Sequence, residues 1–297
     1  MTSRRARRPL LVALALALGV GALSGCSTVR YLAQAASGQA ELLARARPVE
    51  DVLKDPATPA EVRRRLTLVR DVRAFAVTEL GLPDNGTFTT YSDVGRPYLV
   101  WNVFAAPPLS VTLRTSCFPV AGCVAYRGYF SREGAEAEAA RLRASGDDVF
   151  VGGVSAYSTL GRLRDPVPST MLSYTDPTLV RTVVHELAHQ VAYVTDDSVF
   201  NESFAVAVEE EGSRRFMERF GTPAQRETDR VQRERSEAFT ALLLRARGEL
   251  EAVYAARTDD AARREGKARV LRGLREDYAR LRESWGGYAG YDFWFAE

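Results

Sequence analysis

The sequence predicts an α+β protein. Three observations carry this: helical periodicity up to residue 81, short aromatic and β-branched runs between residues 98 and 157, and helical periodicity again from Asp176 onward. With 297 residues, 46% of them hydrophobic and 26% charged, the chain has the composition of a folded protein and not of a disordered or fibrous one. No repeat or low-complexity linker divides it. Residues 26–297 are therefore expected to form one domain, with residues 222–285 as a long helical hairpin.

Residues 1–25 stand apart. Arg4, Arg5, Arg7 and Arg8 form a basic start, residues 10–22 an apolar run, and Leu23-Ser24-Gly25-Cys26 follows at once. The run is shorter than the roughly 20 residues a membrane-spanning helix needs and fits a signal peptide. The four residues ending at Cys26 are similar to a bacterial lipobox, which implies acylation of Cys26 and cleavage before it. A chain so processed is anchored to a bacterial membrane without crossing it. Ser27, and not Asp, follows the cysteine, which by the sorting rule for such proteins implies the outer membrane, facing the periplasm. Cleavage removes four arginines and no acids, so Lys+Arg falls from 40 to 36 against 38 Asp+Glu and the formal charge moves from +2 to −2. The basicity belongs to the export signal, and no nucleic-acid partner is expected.

The elements follow in order. Residues 31–46 are alanine-rich and helical, and after a break at Pro56 to Pro59 a second helix is marked by Val62, Leu66, Val69, Val72, Phe75, Ala76 and Leu80. Pro83-Asp84-Asn85-Gly86 is a turn. Residues 98–104, 110–113, 124–130 and 149–157 read as strands of a small sheet, with a helix over 131–144 between the last two. Cys117 and Cys123 flank Pro119 and Gly122, so a turn could bring the thiols together. In an exported chain a local disulfide is expected ahead of a reduced buried pair, and a metal site is disfavoured because no further thiol or histidine lies near.

From residue 176 to residue 193, Leu179, Val183, Leu187 and Val191 recur every four positions. Thr195-Asp196-Asp197-Ser198 breaks the pattern, and another helix is expected from about Asn201, with Phe204, Val208 and Gly212 on one side. Beyond Pro223, two amphipathic stripes on either side of Thr258 to Asp260 give two antiparallel helices whose Arg and Glu residues form a solvated face.

The only two histidines, His185 and His189, stand in His185-Glu186-Leu187-Ala188-His189. On a helix they lie one turn apart, about 6 Å along the axis, and project from the same side. That spacing lets both imidazoles approach one Zn²⁺ at roughly 2.0 to 2.1 Å. Glu186 is offset from this stripe, free to act as general base toward water activated by the ion.

A third protein ligand is required. Thr195 occupies the position at which the extended metzincin pattern places a histidine, which excludes that class. Glu202 is the better candidate: twelve residues separate it from His189, enough to end one helix, turn, and bring the first turn of the next alongside. A carboxylate is also favoured at a helix N-terminus. Asp196 and Asp197 are the rivals, their other role being to close the turn. Glu209, seven residues past Glu202, is too far along the helix to share the ion and could instead orient an imidazole through its second nitrogen. For charge stabilisation Tyr157 is preferred among Tyr126, Arg127, Tyr157 and Tyr193, because Gly152-Gly153 and the polar run after Ala156 look like the edge of a site. Arg127 could bind a substrate carboxylate or make an ordinary ion pair.

With these residues in place, the chain resembles a bacterial lipoprotein family of predicted zinc aminopeptidases. The resemblance runs from the lipobox nearly to the end, through Tyr31-Leu32-Ala33-Gln34-Ala35 with Gly38-Gln39, Trp101 to Pro107, Cys117 to Phe130, Ala156 to Gly161 with Asp165-Pro166, His185 to Gln190, and Phe200 to Ala205. The His-Glu-Leu-Ala-His-Gln and Asn-Glu-Ser-Phe-Ala segments are similar to those of gluzincin aminopeptidases. The resemblance implies a zincin-like metallopeptidase fold, Zn²⁺ on His185, His189 and Glu202, Glu186 as base, and a peptide substrate cut at its free amino end. It also implies chains that continue past Phe295, whereas this one stops at Glu297. An aminopeptidase needs an anion for the substrate ammonium, and Asp147, Asp148 and Glu210 stand unranked for that part. The rival readings are an endopeptidase or cell-wall amidase, and a non-catalytic envelope scaffold that keeps zinc for stability.

Overall fold

The computed structural model describes residues 28–118 and 122–295. The expected signal peptide and Cys26 lie outside the described residues.

A first helix, α1, covers residues 28–44. Strand β1 (Arg47–Pro48), helices α2 (Val49–Lys54) and α3 (Ala60–Leu80), and strands β2 (Thr90–Ser92) and β3 (Val100–Ala106) follow. Next come β4 (Ser116–Phe118), β5 (Gly122–Val124), β6 (Arg127–Tyr129), α4 (Arg132–Ala144), β7 (Asp148–Val154) and β8 (Val167–Pro168). Four long helices complete the chain: α5 (Asp176–Ala188), α6 (Ser198–Phe220), α7 (Pro223–Ala255) and α8 (Asp260–Ser284).

The strands form three small sheets. β3 lies between β6 and β7, antiparallel to both; β2 joins β1 and β8; β4 and β5 make a hairpin. The α+β class predicted from the sequence is what is observed. The largest core lies where α3, α5 and α6 meet, with Leu66, Val69, Val72, Val180, Val183, Val184 and Leu187 all at or near zero exposure. Each such side chain contributes about 1.5–3 kcal/mol by leaving water, so the stripe that marked α5 in the sequence anchors the helix that carries the histidines. Gly81 ends α3 in the left-handed region, φ 68°, which lets Leu82 N–H reach back to Ala76 O at 3.0 Å.

A second core packs α4 on the sheet through Ala135, Ala139, Val103 and Tyr129. The outer edge of β6 is covered by α1. Gln34 donates from Nε2 to Gly128 O at 3.1 Å and accepts from Phe130 N at 3.2 Å, replacing a missing neighbour strand. Gly38 allows the close approach, since a Cβ there would lie 2.0 Å from the Phe130 ring.

Helices α7 and α8 pack on each other through Phe239, Leu242 and Tyr278, as the stripes predicted. Helix α7 is tied to α5 by the buried Asp229, which pairs with Arg181 of α5 as well as with Arg233 of its own helix, and by Gln225, which donates to Asp176 at 2.8 Å. Among the described residues no helix is long and apolar enough to cross a membrane.

Several sequence expectations are corrected. Residues 110–113 form no strand: Pro107 and Pro108 end β3, and Arg114 N–H turns back to Ala105 O at 2.8 Å. Residues 124–130 are not one strand, because the chain bends at Ala125-Tyr126 to leave the β4 hairpin and join β3. The last strand stops at Val154, not residue 157. The helix expected to reach residue 193 ends at Ala188, and the next begins at Ser198, three residues before Asn201. Strands β1, β2 and β8, two or three residues each, are too short to carry a period.

Candidate metal centre

Helix α5 is opened by Thr175, whose hydroxyl accepts from Thr178 N, and it closes with His185 in its last turn and His189 as the residue that caps it. Helix α6 is opened by Asp197, whose carboxylate accepts from Phe200 N at 2.9 Å. Glu202 thus falls one turn deeper than the first turn expected for it. The connecting loop is held by Asn201, which is 4% exposed and bonds both the N–H and the C=O of Val194. Asp196 stands in the left-handed region, φ 67°, and accepts from Cys123 N at 2.6 Å. Neither rival acid joins the cluster of His185, His189 and Glu202: one caps α6, the other docks the hairpin closed by the Cys117–Cys123 disulfide.

His185, His189 and Glu202 offer ligand atoms that all lie within 4.8 Å of one another. His185 Nε2 is 3.1 Å from His189 Nε2 and 3.5 Å from Glu202, and His189 Nε2 is 3.8 Å from Glu202. Tetrahedral ligands about 2.0–2.1 Å from a zinc ion are about 3.3–3.4 Å apart, so the three edges bracket that figure. Two imidazole nitrogens and a carboxylate are the donor set zinc takes. His185 Nδ1 is held by Glu209 at 2.9 Å, the contact expected of an acid that orients a ligating imidazole. His189 Nδ1 is buried without such a partner.

The surroundings favour positive charge. Burial pulls His185 down, but hydrogen bonds to Glu202 and Glu209 and the charge of Glu186 outweigh it and raise its pKa to about 10. His189 is lowered, by burial first and then by the charge on His185. Glu186 is raised to about 7: burial dominates, His185 opposes it, and the acids Glu202, Asp165 and Glu209 add to it. Two imidazoles ringed by three carboxylates are a pocket made for a cation.

The cluster sits at one end of a cleft of about 770 Å³ between the β3–β6 sheet face, α1 and the Tyr157–Leu160 loop. Tyr126, Tyr157 and Tyr193 all line it. Tyr126 is pushed up to about 12 by burial and then by Glu202 and Glu186, and Tyr193 is raised by burial, Asp196 and Glu202. Tyr157 is raised by burial and by Asp165, with no contribution from the ligand acids. Proximity to the cluster therefore favours Tyr126 and Tyr193 as donors over Tyr157. Arg127 is not in the cleft: it pairs with Glu138 at 3.3 Å, donates to Ser116 at 3.1 Å and lies over the Tyr31 ring. Asp147 pairs with Arg114, Asp148 pairs with Lys267, and Glu210 is exposed outside the cleft. A smaller recess of about 380 Å³, lined by Tyr174, Thr178, Arg181, Thr182 and Glu209, reaches Glu186 from the other side.

Sequence reasoning missed Asn201, Gln39 and Asp165, and the bridge in which Gln190 accepts from Asn85 at 2.5 Å and donates to Thr87 at 3.2 Å. All but Asn85 and Thr87 fall within segments that carried the resemblance, but spacing gives no sign of what they touch.

An α+β protein in which a helix pair brings His, His and Glu to metal-binding distance, with a further half-buried Glu beside them and a cleft in front, has the parts that a metal-assisted hydrolase needs. Residues 30–297 match the family described as "Putative aminopeptidase". The chain belongs to that family, which is one of peptidases. No curated protein and no solved structure matches it.

Proposed function

We propose that this chain is a zincin-like zinc aminopeptidase. The observation that carries this is the His185, His189 and Glu202 cluster with Glu186 beside it, in a chain of this family. Bound there, Zn²⁺ would polarise the scissile carbonyl and acidify water. Glu186, raised to about 7, is poised to accept a proton near neutral pH and return it to the departing amine. Glu209 holds the His185 ring so that Nε2 faces the site. Tyr126 lines the cleft beside Glu202 and Glu186 and is the candidate hydrogen-bond donor to the oxyanion.

The same reading places the protein on a bacterial membrane through acylated Cys26, at the outer membrane and facing the periplasm, on the strength of the sequence before residue 27. The test is cleavage profiling of the zinc-loaded protein on free-amine and N-blocked peptides, beside Glu186→Gln. Cleavage confined to free termini, lost in the variant, is expected. Cleavage of blocked peptides selects an endopeptidase or amidase, and bound zinc without any cleavage selects a scaffold.

A further inference from the structure

Helix α1 carries two glutamines toward the cleft side of the sheet, and they differ in one respect. Gln34 uses both ends of its amide on β6. Gln39 lines the cleft, and neither its Nε2 nor its Oε1 has a hydrogen-bond partner, although both are buried. Unmet buried amides are rare and costly. Beside it stands Asp165, 3% exposed. Its Oδ2 accepts from the backbone and hydroxyl of Thr159, at 2.7 and 2.8 Å, while its Oδ1 has no hydrogen bond of good geometry; burial raises the carboxyl's pKa, and Thr159 and then the nearby Gln39 amide act against it.

The position of Gln39 is built in. Gly38 lets α1 lie directly against Phe130, which brings the next residue into the cleft. The Tyr157–Leu160 loop opposite is held close to the metal ligands: Gly161 packs against Gln190, the residue after His189. The cleft wall that Gln39 shares with the metal cluster is largely apolar, with Val100, Phe104, Phe130 and Tyr157.

We infer that Gln39, with Asp165 behind it, is the binding site for the substrate's free α-ammonium group. An Asp165 that takes the Gln39 Nε2–H leaves Oε1 as the acceptor for a ligand, and a cation held there would offset the burial that raises the Asp165 pKa. A primary ammonium, with three donors and one positive charge, is the group that satisfies both. This also answers why the three acids singled out in the sequence do not serve: each is tied elsewhere or lies outside the cleft. The inference rests on the aminopeptidase reading and deepens it, since an anchored ammonium limits cleavage to the amino end.

The test is titration calorimetry on the zinc-loaded full chain in detergent, made inert with Glu186→Gln, using phenylalanyl-leucine amide and its N-acetyl derivative. The free amine should bind about tenfold or more tightly, as expected for charge-assisted hydrogen bonds. Adding Gln39→Met, which keeps length and volume, should erase that preference while leaving the acetylated peptide's affinity and the melting temperature unchanged. Adding Asp165→Asn should weaken the free amine alone. Equal affinity for both peptides, or a preference that survives Gln39→Met, overturns the inference. Its failure is distinct from that of the aminopeptidase reading: cleavage confined to the free amine by the parent protein, together with equal affinities for the two peptides, sinks only the ammonium site, whereas an amine preference without hydrolysis sinks only the enzyme.

Discussion

Asn201 and Val194 are locked by a reciprocal pair of hydrogen bonds: Asn201 Nδ2 donates to Val194 O at 2.8 Å, and Val194 N donates to Asn201 Oδ1 at 2.7 Å. The loop between the histidine helix and the glutamate helix is closed by the side chain that immediately precedes the third ligand. Asn201→Leu would leave both backbone groups unmet. A loss of about 1–3 kcal/mol of stability is expected, with weaker zinc binding, read by thermal unfolding and competition with a chelator. Unchanged zinc affinity would show that the loop does not set the position of Glu202.

Glu186 and Glu209 flank His185 but should fail differently. Glu186→Gln removes the proton acceptor and should lower kcat by about 10²–10⁴-fold with zinc content unchanged. Glu209→Ala removes the hydrogen bond to His185 Nδ1 and should cost about 10–100-fold in zinc affinity, with activity restored by excess metal. Metal analysis beside kinetics separates the two.

Cys123 belongs to the disulfide-closed hairpin and donates its backbone N–H to Asp196 in the same interhelical loop. The Cys117→Ser, Cys123→Ser double variant should lose about 2 kcal/mol, the scale for closing so short a loop, and should lower kcat/KM, because Val124 in the hairpin and Ala125 and Tyr126 after it line the cleft. Peptide kinetics and a melting curve check both.

Asp176 gives a pH signature. It accepts from Arg64, Arg65 and Gln225, so α3, α5 and α7 converge on one carboxylate. Burial works to raise its pKa, but these partners outweigh it and leave it lowered. A carboxyl depressed in the folded state adds stability above its unfolded value, about 3.9, and that stability is lost as pH falls through the folded value. Asp176→Asn should therefore melt below the parent at pH 7, by about 1–2 kcal/mol, and the gap should close as the pH drops below about 4. A gap that stayed constant with pH would mean the carboxylate charge is idle.

Short-range order accounts for what could be read before folding. The amphipathic stripes of α3, α5, α7 and α8, the His-Glu-x-x-His face and the distance to Glu202 are properties of neighbouring residues, and a helix of fixed pitch turns such spacing into a shared side. The pairing of Cys117 with Cys123 was legible for the same reason, the two being only six positions apart. Arg127 and Tyr157 show where that legibility stops. Both sit in segments with the right composition, yet Arg127 is drawn from the cleft by Glu138 and Ser116, while Tyr157 lines the cleft with its ring edge-on to Phe130.

By itself the sequence determined the helices, the spacing of His185, His189 and Glu202 and the acid beside them, because helical pitch and hydrophobic periodicity act over a few residues. Only the tertiary structure decided where α5 stops, which tyrosines meet the acids, and that Gln39 enters the cleft while Gln34 seals a strand. Those outcomes depend on contacts such as Gln34 with Gly128, 94 positions away along the chain. The packing of distant surfaces selects them, and no local period records it.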